Sequence, residues 1–383
     1  MDLSKIRMKE NIGMVINDTN TTQFSFIISP LKDRVHAEKN DYVCVDHPTK
    51  GSSSQILGII TEIRCYEQVA GGTIGVKVGR MMAVTKIIGY INTKDETNKI
   101  IELNTPPNPG SRVHLIYSDF LVKVFNVNLH GIPFKIPLQL GESIFKAINQ
   151  KEDSKTIEYY LDFTNFVNSH SLISSMDTFG KNKAATILAE EINKKTDQPL
   201  IIFDPYGEYE NVVSQNKSCE IVNLTEAKEI KLEILSKIES KKIVVVTTKK
   251  LTPEKKRKIY SKYLQFLWNA KLEGKLPNFT LFIENPEKID SVALEQIVYE
   301  GTKYGIAIIL ICKQPSALGT NIIVQMSTQI IGRTNDDKYL DYLLRISPKE
   351  ATKITELQPN QWMVISDSQQ PVSYVSLRKV SKK

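Results

Sequence analysis

Hydrophobic residues along the chain follow two rhythms. Up to about residue 125, short apolar runs alternate with polar positions, as at 13–16, 24–28, 41–45, 56–63, 75–78 and 86–91. Alternation with period two predicts half-buried strands. Gly71-Gly72 and the stretch from Pro106 to Gly110 supply turn and loop punctuation. Many short strands without helices predict a small closed barrel, which leaves no free strand edge.

From about residue 158 the pattern changes. Apolar strand segments at 171–173, 200–203, 220–222, 243–247, 280–283, 307–311 and 329–331 are separated by helical periodicity over 183–195, 253–272, 290–303, 336–345 and 348–356. Continuous apolar strands alternating with helices predict a mainly parallel sheet covered on both faces. Residues 140–148 read as one or two helical turns, followed by the charged stretch 150–155. The domain boundary is therefore placed near 150, giving a β-barrel domain over 1–150 and an α/β domain over 151–383. Residues 362–365 and 372–377 predict a closing hairpin.

Composition narrows the class. The chain has 383 residues, 41% hydrophobic and 24% charged, as expected of a globular protein. No apolar run approaches the roughly 18 residues of a membrane span, and Met1 to Lys5 begins no signal-peptide core. The four cysteines, Cys44, Cys65, Cys219 and Cys312, lie far apart, which predicts a reducing, cytoplasmic compartment without a disulfide frame or zinc site. The five histidines show no ligand spacing. A net charge of +7 permits an acidic partner without requiring one.

The candidate chemistry begins at Ser175 to Asn182, a partial match to the phosphate-loop pattern G-x-x-x-x-G-K-[ST]. Gly180 and Lys181 are kept. Ser175 stands for the first glycine and Asn182 for the closing hydroxyl residue. Such a loop aims backbone N–H groups at phosphates from a helix N-terminus. Ser175, Thr178 and Phe179 suit that geometry poorly, and Phe179 is expected to put its ring in the nest. Lys181 can neutralise phosphate charge, and Asn182 can offer an amide oxygen to Mg²⁺. The alternative is a plain Gly-Lys turn before a helix.

Three further strands end in polar residues. The segment 200–203 runs into Asp204, Pro205, Tyr206, Gly207, Glu208 and Tyr209. Residues 280–283 run into Glu284, Asn285, Pro286 and Glu287, where phosphoryl-transfer sites place a Mg²⁺-holding acid and a water-orienting group. Glu284 suits the first role. Asn285 has no useful basicity, which leaves Glu287 as the nearby acid. Residues 306–311 run into Cys312, Lys313 and Gln314. Arg333, after the strand at 329–331, can act as a finger on a neighbour's site or as a surface arginine. The run Lys255 to Lys258 lies on an amphipathic helix with Tyr260, Tyr263, Phe266 and Trp268 nearby, which would allow nucleic-acid binding, but a solvated outer face with the aromatics packed inward is the expected reading.

The order of these features resembles the HerA family of DNA-translocating ATPases, in the FtsK-like branch of P-loop ring motors. The resemblance covers nearly the whole chain. It rests on Ile12 to Ile16 at the start of the barrel, His170 before the loop, the D-x-x-G-E-Y signature at Asp204, Gly207, Glu208 and Tyr209, Cys312 to Ser316, and Ile331 to Asn335. It implies a RecA-like P-loop core behind a small N-terminal β-barrel. It also implies ATP and Mg²⁺ as ligands, and a cofactor site at Ser175, Thr178, Gly180, Lys181, Asn182, Asp204, Glu208 and Lys313. The metal would lie at Asn182 and Glu284, with Glu284, Glu287 and Arg333 catalytic. The partners implied are double-stranded DNA, a homo-hexamer or a mixed ring with an active paralogue, and a nuclease. The family carries glycines at 175 and 178, a hydroxyl residue at 182, Asp-Glu at 284–285 and glutamine at 313. The departures here point to a structural or regulatory subunit with weak or absent hydrolysis. The alternatives are an active translocase with an unusual pocket and a scaffold that binds no nucleotide, in which Lys181 and Lys313 pair with Asp177, Glu284 or Asp204 instead.

Overall fold

The computed structural model describes residues 11–29, 37–70, 76–93, 99–116, 118–127, 134–147, 155–209, 219–224, 238, 243–289, 292–367 and 373–380. The Gly71-Gly72 turn, most of the charged stretch 150–155, and His36 and His130 lie outside these residues. The chain divides into two compact units. One comprises Met1–Pro133, Ser143–Tyr159 and Gln369–Pro371, and the other Phe134–Glu142, Tyr160–Ser368 and Val372–Lys383.

The first unit is built on β1 (Asn11–Thr19), β2 (Gln23–Ile28), β3 (Tyr42–His47), β4 (Gly51–Ala70), β5 (Val76–Asn92) and β6 (Arg112–Leu115). They close into a barrel in the order β1-β2-β5-β4-β3-β6, and β6 returns to pair antiparallel with β1. Phe24, Phe26, Val43, Ile56, Ile60 and Val113 are fully buried in its core. Residues 76–78 and the run at 86–91 are parts of one strand, because β5 stays paired with β4 from Val76 to Asn92. A short helix, α1 (Ser118–Phe125), follows.

An eleven-stranded sheet belongs mainly to the second unit, with residues 143–147 of one strand and 155–159 of another grouped with the first. Its strands are β7 (Pro137–Ala147), β8 (Lys155–Asp162), β9 (His170–Ser174), β10 (Leu200–Asp204), β11 (Cys219–Asn223), β12 (Ile243–Thr247), β13 (Phe279–Glu284), β14 (Ile306–Cys312), β15 (Met326–Ile331), β16 (Gln361–Ser366) and β17 (Ser373–Leu377). The order is β11-β12-β10-β13-β14-β9-β15-β16-β17-β7-β8. The seven strands from β11 to β15 in that order pair in parallel, while β16 and β17 add antiparallel. The helices include α2 (Phe163–Asn168), α3 (Thr178–Lys195), α4 (Pro253–Leu272), α5 (Val292–Glu300), α6 (Asp337–Ile346) and α7 (Pro348–Ile354). This is a RecA-like, mainly parallel core, preceded by the small barrel.

Two helical expectations are corrected. Residues 140–148 do not form helical turns but lie mostly in β7, with Leu138 and Leu140 both buried on a period of two. Gly141 lets the neighbouring chain approach, since a Cβ there would lie 2.1 Å from the Ser376 carbonyl oxygen. The helix expected from 183 starts at Thr178, because Asp177 caps it by accepting a hydrogen bond from the Phe179 N–H.

His170, at the start of β9, is buried, and its Nδ1 accepts the Ile308 N–H at 3.0 Å. Burial pushes its pKa down from 6.5 to about 4. The unfolded imidazole therefore binds a proton in a pH window where the folded one does not, and stability falls as pH drops through it. The expected loss between pH 6.5 and about 4 is on the order of 3 kcal/mol. Urea unfolding against pH should show this component in the natural chain and lack it in His170→Gln. Identical pH profiles would contradict it.

Candidate nucleotide site

The parallel strands β9, β10, β13 and β14 direct their carboxyl ends to one side of the sheet, where open α/β sheets hold ligands. A cavity of about 580 Å³ lies there, lined by Thr178, Lys181, Glu208, Glu284, Glu287 and Lys313 together with Met176, Tyr206, Asn285, Lys288, Gln314 and Asn335. A second cavity, of about 370 Å³, is lined by Ser175, Met176, Asp177, Gly332 and Arg333 and by the turn from Gln358 to Trp362. Met176 borders both.

Between the cavities the chain runs from β9 into α3 without an open nest. The Ser175 N–H reaches the Cys312 carbonyl at 3.4 Å, the Met176 N–H the Arg333 carbonyl at 3.0 Å, and the Lys181 N–H the Asp177 carbonyl at 3.0 Å. The Asp177 N–H goes to Ser175 Oγ at 3.1 Å, and the Phe179 N–H to Asp177 Oδ1 at 3.0 Å. No residue from 175 to 181 has positive φ. The donors that a phosphate loop would aim at a ligand are therefore mostly spent on the chain itself. The Phe179 ring does not fill the nest as expected. It is 89% exposed and points to solvent. Gly180 packs where a Cβ would meet Asp177 Oδ2 at 2.9 Å and the Trp362 ring at 3.0 Å.

Lys181 projects beneath this turn and donates to Glu284 Oε1. Both side chains are only 1% exposed. Burial raises the Glu284 pKa, and the Lys181 ammonium opposes the rise. Among the described residues Glu287 Oε2 and Asn182 Oδ1 are buried without a hydrogen-bond partner, while the Glu284 carboxylate also interacts with the buried Tyr209 hydroxyl. Burial also raises the Glu287 pKa. The Asn182 amide donates to Glu208, a second tie across the site. These oxygens are the donor type that Mg²⁺ takes, and Mg²⁺ is commonly held by one or two carboxylates plus substrate phosphates. Glu284 and Glu287 line the cavity and thus fit an ion arriving with a nucleotide, whereas Asn182 is not among the lining residues. Among the described residues no group of three or more His, Cys, Asp or Glu is arranged to hold one alone.

The other expected residues have distinct placements. Asp204 does not face the cavity. It is fully buried, and its carboxylate accepts N–H groups from Tyr206 at 3.3 Å, Gly207 at 2.8 Å, Glu208 at 3.0 Å and Tyr209 at 2.9 Å. The D-x-x-G-E-Y signature is thus a self-capping turn, with Gly207 at φ 77°. Arg333 is exposed and borders the second cavity, away from Glu284 and Glu287. Asn285 adopts φ 51° and ψ 54°, a left-handed conformation that asparagine tolerates better than glutamate does. Sequence reasoning missed Tyr206 and Lys288 as cavity residues. Lys288 donates to the Tyr206 hydroxyl at 2.8 Å, and Lys256 lies 4.7 Å from the Tyr206 ring centre.

Residues 143–303 match the family described as "Helicase HerA, central domain". Over 195 residues the chain is 26% identical to the probable DNA double-strand break repair helicase HerA of Methanocaldococcus jannaschii, covering 51% of this chain and 31% of that protein. It is 25% identical over 231 residues to the probable helicase MJ1565 of the same organism, covering 55% and 39%. The matches thus reach less than two-fifths of the length of either relative. Among solved structures, the genome packaging NTPase B204 from Sulfolobus turreted icosahedral virus 2, in complex with AMPPCP, is similar with a TM-score of 0.42 at 18% identity, over 55% of this chain and 99% of that one. VirB4 of Thermoanaerobacter pseudethanolicus is similar with a TM-score of 0.48 at 10% identity, over 65% and 98%. Among the described residues no helix is long and apolar enough to cross a membrane.

Proposed function

We infer that this chain, a HerA-like P-loop protein, is a nucleotide-binding subunit of a DNA-processing ring, with a site too depleted for efficient hydrolysis. The observation that carries this reading is the buried ion pair between Lys181 and Glu284, beneath a loop whose N–H groups bond internally. The charge a nucleotide needs is present but already engaged. A triphosphate would lie over the start of α3 and compete with Glu284 for Lys181. Lys288 and Lys313 border the same cavity and would meet the terminal phosphate. The second cavity, floored by Trp362, is suited to base and sugar. Mg²⁺, when bound, would neutralise phosphate charge.

Double-stranded DNA is the proposed polymer, in keeping with the DNA repair helicase among the relatives. A homo-hexamer or a mixed ring with an active paralogue is the proposed assembly, with a nuclease as a further partner. An active translocase is the second reading. It is favoured by Glu287, which lines the cavity and whose Oε2 has no hydrogen-bond partner among the described residues, so it can serve as a base where Asn285 cannot.

Titration calorimetry with ATP and phosphate release, each with and without double-stranded DNA, separate the readings. The expected result is ATP binding with little or no turnover. DNA-stimulated turnover at ordinary rates, about 1 s⁻¹ or more, would overturn it in favour of the motor. Absence of both would leave a scaffold.

A further inference from the structure

Between Thr248 and Lys262 the sequence carries seven basic residues and one acidic residue, so this segment holds nearly all of the chain's net charge of +7. It forms the turn after β12 and the opening of α4. Lys249, Lys250, Lys255, Arg257, Lys258 and Lys262 are exposed. Of these six, only Lys258 has an ion-pair partner among the described residues, Glu254 at 3.0 Å.

The cations sit at the wrong end of the helix for stability. A helix N-terminus carries partial positive charge, and a cation near it costs about 0.3–1 kcal/mol. The Thr252 cap makes no side-chain hydrogen bond to relieve that end. Glu254 in the first turn and its pair with Lys258 offset part of this cost, but Lys255 and Arg257 remain exposed there without an ion-pair partner among the described residues, and a local rule broken without full compensation points to a function. The opposite face of α4 is occupied, because Tyr260, Tyr263, Leu264, Leu267 and Trp268 are buried. No apolar stripe is left to enter a bilayer, which a membrane-surface helix requires.

The surface also borders the nucleotide cavity. Lys256 donates to the Pro205 carbonyl at 2.6 Å, next to Tyr206 on the cavity wall. We propose that the turn after β12 and the first turns of α4 bind the phosphate backbone of double-stranded DNA. The identity of the polymer rests on the DNA-processing reading above, whereas the cation surface stands independently of it. Contacts of this kind are independent of sequence and release counterions.

The test is fluorescence anisotropy with labelled duplex DNA between about 50 and 200 mM salt. Lys255→Gln/Arg257→Gln/Lys258→Gln is expected to weaken binding at least tenfold and to flatten the log–log salt slope by about 2–3, near 0.9 per lost phosphate contact. Lys249→Gln/Lys250→Gln, outside the helix, is expected to flatten it by about 2. Unfolding curves matching the natural chain would establish that both variants are folded. If the natural chain binds DNA and both folded variants keep its affinity and slope, the proposal is wrong while the DNA-processing reading survives. If the natural chain binds ATP but no DNA, that reading fails and the proposal with it. Preferential binding to anionic phosphatidylserine vesicles over DNA would also overturn it.

Discussion

Replacing Lys181 with methionine is expected to destabilise the protein by about 3–5 kcal/mol, because it leaves the Glu284 carboxylate buried without its counter-ion. Adding Glu284→Gln to that variant is expected to return most of the loss, so the two changes couple strongly in a double-mutant cycle. The loss also depends on pH. Burial already raises the Glu284 pKa, and without Lys181 the folded carboxyl holds its proton to still higher pH. The unfolded carboxyl, near 4.3, gives its proton up first, so the variant loses stability as pH rises above that value and regains it as pH falls. Urea unfolding at mildly acid and mildly alkaline pH measures both effects. A stable Lys181→Met chain, or strictly additive single changes, would show that the buried pair does not hold the site together. The same pair sets a toll on nucleotide binding, since phosphate must draw Lys181 from a partner already in contact with it.

The second large effect concerns turnover. Asn182→Thr, Asn285→Glu and Lys313→Gln together are expected to leave phosphate release within about tenfold of the natural chain. Adding Ser175→Gly and Thr178→Gly is expected to raise it by about 10²–10⁴-fold, the scale of a recovered base and recovered backbone donors. The first three changes restore side chains but leave the donors of residues 175–179 committed within the loop and the capped first turn of α3. Ser175→Gly removes the hydroxyl that holds the Asp177 N–H, and Thr178→Gly weakens the helix at its first residue. Phosphate release with saturating ATP and DNA measures both variants. Full recovery with three changes would mean that nucleotide reopens the loop unaided.

Much of the architecture was legible in the sequence, and the misses have physical causes. The span of α4 follows from Pro253 at its first position and Gly274 just beyond its end. The strands of the parallel core follow from uninterrupted apolar runs. The start of α3 lies five residues before the helical periodicity because Asp177, inside the loop pattern, is also the N-cap of the helix. The strand β7 was missed because the five apolar residues among 140–148 fit either period, and its partner β17 lies at the far end of the chain. In the site, Lys181 and Glu284 were each legible as candidates. Their union was one of several pairings open to Lys181 under the scaffold reading, beside Asp177 and Asp204, and with 103 residues between them only the fold selects it. Asp204 shows the converse case, in which a signature that marks a family also closes a turn through four backbone hydrogen bonds.

The placement of β7 has a consequence for the order in which the protein is made. Translation produces β7 early, yet its sheet neighbours are β17 and β8, and β17 emerges only after every other strand. The Gln139 backbone is further held by Glu191, whose carboxylate accepts its N–H at 2.9 Å, and by Arg378 beyond β17, which reaches its carbonyl at 3.3 Å. On the ribosome, the β9–β15 core can assemble while β7 still waits with its β17 edge open. That edge is a standing invitation to another chain, and it closes only when residues 373–378 arrive.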